Sequence, residues 1–165
     1  MKLDHIAFRT TDRNKTADFI KRSFGYTVGD EFDIEFDDGS TTECFALVGP
    51  VIPVTMIHDG PEFFVSDGSP DSIVGKWVEE RENGGIHHIA YRVKDIDKAF
   101  EEWKENGVEF LSDCVIDCPD DKLRQIFTKP LDEMGGIIIE LIERGDKGFC
   151  QNSVKKLMEA TKELK

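Results

Sequence analysis

The sequence lacks three things, and each absence closes off a class of function. No apolar run approaches the length of a membrane span. The opening Met-Lys-Leu-Asp-His has none of the long apolar stretch of a secretory signal, so a cytoplasmic protein is expected. There is also no Cys-x-x-Cys pair among Cys44, Cys114, Cys118 and Cys150. Cys114 and Cys118 stand close, but no second close pair completes a zinc-knuckle pattern. The four are therefore expected as free thiols packed as small apolar groups. Finally, there is no basic excess. With 21 Lys and Arg against 34 Asp and Glu the formal net charge is -13, which repels nucleic-acid phosphates and anionic membranes. Solubility accounts for most of that charge; attraction of a metal cation is compatible with it.

What remains suits one small domain over residues 1–165, with 39% hydrophobic residues to build a core and 33% charged residues to cover it. Comparing the chain with itself exposes a repeat. His5-Ile6-Ala7-Phe8-Arg9 returns as His88-Ile89-Ala90-Tyr91-Arg92. At the same offset Asp12 matches Asp95, Lys15 matches Lys98 and Lys21 matches Lys104. Two modules follow, one over about residues 1–82 and one over about residues 83–145.

Periodicity gives each module its elements. Ile6 and Phe8 alternate with His5, Ala7 and Arg9, as Ile89, Tyr91 and Val93 alternate with His88, Ala90 and Arg92, which predicts a strand. Ala17, Ile20 and Phe24, like Ile96, Ala99, Phe100 and Trp103, recur at helical spacing. Gly25 and Gly107 then stop the helices. Three strands should follow in each module. In the first they are Phe32–Phe36, a hairpin turn at Asp38-Gly39, Thr42–Val48 and Val51–Ile57. A polar, turn-rich stretch over 59–72 leads to a helix near Ile73–Arg81, and Asn83-Gly84-Gly85 closes the module. In the second the strands are Gly107–Leu111, Arg124–Thr128 and Ile137–Ile142. The tail places Val154, Leu157, Met158 and Leu164 on one stripe, predicting a helix over about 153–164.

Three side chains stand out as metal ligands. His5 and His88 hold equivalent places on the first strand of each module. Glu140 sits in Ile-Ile-Ile-Glu-Leu-Ile, a run apolar enough to be buried, where a carboxylate needs a partner. Two imidazoles and one carboxylate on one side of a divalent cation leave positions open for substrate. Taken singly, each has a plainer reading: His5 as a hydrogen-bonded core histidine, Glu140 as the partner of Arg9 or Arg92. The duplication favours the joint reading. His87 competes with His88, and register with His5 selects His88. His58 ends a strand, near the mouth of any pocket.

These residues resemble the vicinal-oxygen-chelate superfamily, which includes glyoxalase I, methylmalonyl-CoA epimerase and the extradiol and 4-hydroxyphenylpyruvate dioxygenases. The catalytic C-terminal half of the 4-hydroxyphenylpyruvate dioxygenases is the nearest likeness. It is carried by Asp4-His5, Thr42-Glu43, Gly85-Ile86-His87-His88-Ile89-Ala90, Gln125-Ile126-Phe127-Thr128-Lys129-Pro130, Ile139-Glu140-Leu141-Ile142-Glu143-Arg144 and Gly148-Phe149.

The resemblance implies an α+β fold: two βαβββ modules forming a cupped, partly closed mixed sheet, with a C-terminal helix over the active site. It implies His5, His88 and Glu140 as ligands of Fe(II), with Co, Mn, Ni and Zn as alternatives, and Gln125, Phe149 and His58 along the substrate pocket. The protein would be a metal-dependent, dioxygenase-like enzyme acting on a small keto acid or related chelator, and the assembly a homodimer. The sequence departs from that branch at Ser153-Val154, where the branch carries Asn-Phe, and at His58, where it carries asparagine. The epimerase type is the alternative, with Glu43 or Glu140 moving a proton α to a carbonyl. Its fourth ligand would fall near Thr55, and Glu43 reads equally well as a strand-surface charge. A non-catalytic binding protein of the same fold is a third option.

Overall fold

The computed structural model describes residues 1–53, 57–58 and 60–164, apart from the side chain of Ile57. Thr55 therefore lies outside the described residues. The chain divides into two units, His5–Ile86 and Met1–Asp4 with His87–Lys165.

The first unit contains β1 (Lys2–Thr10, from His5 onward), α1 (Arg13–Phe24), β2 (Thr27–Glu35), β3 (Thr41–Val48), a ribbon of β4 (Val51–Ile52) and β5 (Ile57–His58), β6 (Glu62–Gly68) and α2 (Ile73–Glu79). Its sheet runs β2-β3-β6-β1, with β1 and β6 parallel and the other neighbours antiparallel. The matched Asp12 explains itself here. Its carboxylate caps α1 by accepting the Lys15 amide, a contact that stabilises a helix by about 1 kcal/mol. Gly25 ends α1 at φ 73, a left-handed conformation that favours glycine. Ala17 and Ile20 of α1 bury against Phe45, Leu47 and Val65 on one face of the sheet.

The second unit contains the rest of β7 (Gly84–Arg92), α3 (Ile96–Glu105), β8 (Ile116–Asp117), β9 (Arg124–Phe127), β10 (Ile138–Glu143) and α4 (Gln151–Ala160). Its order is β7-β10-β9-β8, with β7 and β10 parallel. Asp95 caps α3 through the Lys98 amide, as Asp12 caps α1, so the repeat extends to its caps. Ile96 and Phe100 of α3 bury against Ile126 and Leu141. Leu157 of α4 packs on the opposite face, against Phe127 and Ile138. Each unit thus follows the predicted strand–helix–strands plan, and the α+β class with its C-terminal helix is observed.

Four expectations need correction. Val51–Ile57 is not one strand, because Val51–Ile52 and Ile57–His58 pair antiparallel with each other. The polar stretch over 59–72 holds β6, the strand that joins β1 to β3; Pro61 precedes it, and Asp67-Gly68 are its last two residues, paired with Glu43 and Thr42. Gly107–Leu111 is not a strand, pairing only at Phe110 with Thr128, and the outer strand of that sheet is β8. The cysteines are not all free. A disulfide joins Cys118, just after β8, to Cys150 at the start of α4, with Cα atoms 6.1 Å apart. The fold brings them together across 32 residues. Cys44 (buried) and Cys114 (exposed) remain thiols.

Candidate metal centre

In the second unit, strand alternation puts His88 on the face that α4 covers, because His88 pairs in register with Ile138 and Glu140 with Phe127. The structure brings His88 and Glu140 together: His88 Nε2 lies 3.0 Å from Glu140 Oε2, and both residues are buried. The other carboxylate oxygen, Oε1, accepts a 2.6 Å hydrogen bond from Gln125 Nε2. Gln125 is itself buried, and its Oε1 has no hydrogen-bond partner among the described residues. The Phe127 ring lies 4.7 Å from the His88 ring and walls this group from one side. His88 Nδ1 lies 2.8 Å from Nδ1 of His87.

The donor set suits a divalent cation. Two ligand atoms bound at about 2.1 Å and about 90° apart are separated by about 3.0 Å. The His88–Glu140 spacing matches that value, and Gln125 leaves one carboxylate oxygen turned toward the imidazole.

In the first unit, His5 is buried on β1 and lies 6.5 Å from the Phe64 ring. It pairs in register with Glu62, the first residue of β6, so the two side chains leave the same face of the sheet. The sequence does not single out Glu62, because the turn residues of the 59–72 stretch mask β6. An alternating Glu62, Phe64, Ser66 was the available signal. The residue before His5 belongs to the second unit: Asp4 is held by Arg92, 2.7 Å away, and by Arg144. Arg144 in turn stacks on Phe149, 4.6 Å from the ring centre. Phe149 thus braces the Asp4 anchor through Arg144.

Glu43 and His58 lie elsewhere in the first unit. Glu43 shares the α1-facing side of β3 with Phe45 and Leu47, is half exposed, and pairs with Arg13 at 3.0 Å. Glu31, Asp33 and Asp67 gather around the same guanidinium. His58 is exposed on the β4–β5 ribbon, its Nδ1 2.6 Å from the Gly49 carbonyl.

Comparisons with known proteins add to this geometry. A family model described as "Glyoxalase/Bleomycin resistance protein/Dioxygenase superfamily" matches residues 4–118. The chain is 32% identical over 110 residues to an ethylmalonyl-CoA/methylmalonyl-CoA epimerase of Cereibacter sphaeroides, covering 67% of this chain and 74% of that protein. It is 28% identical over 148 residues to the mitochondrial methylmalonyl-CoA epimerase of Dictyostelium discoideum, covering 87% and 78%. In fold it is similar to a mutant 4-hydroxymandelate synthase from Streptomyces coelicolor, with TM-score 0.79, 21% identity and 98% of this chain covered. The match takes in 53% of that synthase, so the chain spans about half its length.

Proposed function

The chain belongs to the glyoxalase/bleomycin resistance protein/dioxygenase superfamily, and on that premise we propose that His5, His88 and Glu140 hold one divalent cation beside a small carbonyl-bearing substrate. The observation that carries the proposal is the buried His88–Glu140 pair at 3.0 Å with Gln125 behind the carboxylate. A buried carboxylate between an imidazole and an amide is costly to ionise without a cation. His5 completes the set by its place in the repeat, and its neighbour Asp4 is fixed by Arg92 and Arg144. Each of the three offers one ligand atom, and all three are buried.

The reaction best supported is proton exchange at the carbon α to a thioester or keto carbonyl. The 32% identical relative is named as an acyl-CoA epimerase, which supports that class. A bound divalent metal supplies Lewis acidity that polarises the substrate carbonyl. Gln125 holds Glu140 in place through its Nε2 and offers Oε1 to a substrate hydrogen-bond donor. Glu62, on the face of His5, is the carboxylate that would take the α-proton. Glu43 is committed to Arg13 on the helix-facing side of its strand, which argues against its use as the base.

Oxygenase chemistry with Fe(II) on a small keto acid is the second reading. It is favoured by the cover that α4 gives the His88–Glu140 face and by a fold likeness to the synthase that spans 98% of the chain. One experiment separates the two. Protein purified without oxygen and loaded with Co(II) or Fe(II) is incubated with branched acyl-CoA thioesters in deuterated water, and in parallel with keto acids while oxygen is monitored. Deuterium at the α-carbon with no oxygen uptake is expected. Oxygen uptake without deuterium would transfer the assignment to the second reading, and neither signal would contradict enzymatic function.

A further inference from the structure

The two ring nitrogens of His88 face different partners. Nε2 meets Glu140 at 3.0 Å, and Nδ1 meets Nδ1 of His87 at 2.8 Å. Adjacent residues on a strand leave opposite faces, so contact between their rings is not the default. Here both rings are buried, cross at 83° with centroids 5.1 Å apart, and share Phe127 as a neighbour. The chain enters this strand through Gly84 and Gly85, both at positive φ, with Gly84 where a Cβ would strike the Arg9 carbonyl.

A neutral imidazole carries one N–H. If Nε2 binds a metal, the hydrogen must sit on Nδ1, and a buried N–H needs an acceptor. His87 Nδ1 lies within hydrogen-bond reach and accepts when His87 carries its own hydrogen on Nε2. We propose that His87 is a positioning residue that takes the Nδ1–H of His88 and so fixes the ring and tautomer that present Nε2 to the metal. This rests on the metal-site reading above. It gives the pair His87-His88 two distinct duties where the repeat supplied only one. The first module has Asp4 at the matching place, bonded to Arg92 and Arg144 instead.

The test uses the full chain with nitrogen-15 in its histidines. A scalar coupling across the hydrogen bond between Nδ1 of His87 and Nδ1 of His88 is expected in the zinc-loaded protein. Zinc affinity, measured by competition with a chromophoric chelator, should fall by about 10–100-fold in His87→Phe, which keeps a ring but removes the acceptor. His87→Asn, which returns an acceptor near the place of Nδ1, should recover much of the loss. A purely packing role would give the reverse order, with phenylalanine the milder change. Zinc bound equally well by His87→Phe, or no coupling in the loaded wild type, would overturn this inference while sparing the metal site. A wild-type protein that binds no zinc, cobalt or iron would overturn both.

Discussion

The two modules share a frame but fill it differently. Both start with a strand bearing a histidine, cap the next helix with an aspartate, and pair the first strand in parallel with the last. In the first module the His5 face carries Phe64 and Arg9, and Trp77 of α2 lies 5.5 Å from the Arg9 guanidinium. In the second the corresponding face carries His88, Glu140 and Gln125, and is covered by α4. The polar chemistry is therefore unequal: a histidine and the carboxylate of Glu62 against a histidine, a carboxylate and an amide already in contact with one another. The shared frame sets the positions, and the residues at those positions set what each module contributes.

Substitutions can break that asymmetry, beginning with the largest effect. His88→Ala should abolish metal binding with the fold retained, since it removes one of two ligands from the richer module; circular dichroism beside metal content checks both halves. Next, Leu157→Ala should cost about 2–5 kcal/mol by opening a cavity between α4 and Phe127 and Ile138. Hydrogen exchange should localise that loss to the second module. Breaking the disulfide with Cys118→Ser should cost about 2–4 kcal/mol under oxidising conditions and nothing further under reductant. Thiol labelling sharpens the same contrast: exposed Cys114 should react at once. Cys44, whose thiol burial pushes up, should stay unmodified until the first module unfolds. The smallest effect belongs to Glu43→Gln, worth less than about 1 kcal/mol because its partner Arg13 keeps three other carboxylates.

Much of the frame was legible because it is periodic. The repeat located His88, and an apolar run located Glu140, since burial of a charge is conspicuous in any sequence. What periodicity could not supply was tertiary. Alternation shows that Glu43 and Thr42 face opposite ways but not which way α1 lies. Strand β6 was hidden because Pro61 and Asp67-Gly68 carry turn chemistry at its margins, and with it went the pairing of Glu62 with His5. The Cys118–Cys150 bond depends on α4 docking beside β8, which no local pattern encodes. The role of His87 was equally invisible, because neighbours on a strand are expected to part.

The most direct test of the account is the metal content, by elemental analysis, of anaerobically purified wild type beside His5→Ala, His88→Ala and Glu140→Ala. The account predicts about one divalent ion per chain in the wild type and loss of it in all three variants. Undiminished metal in any one of them, with the fold intact, would contradict a shared centre built from both modules.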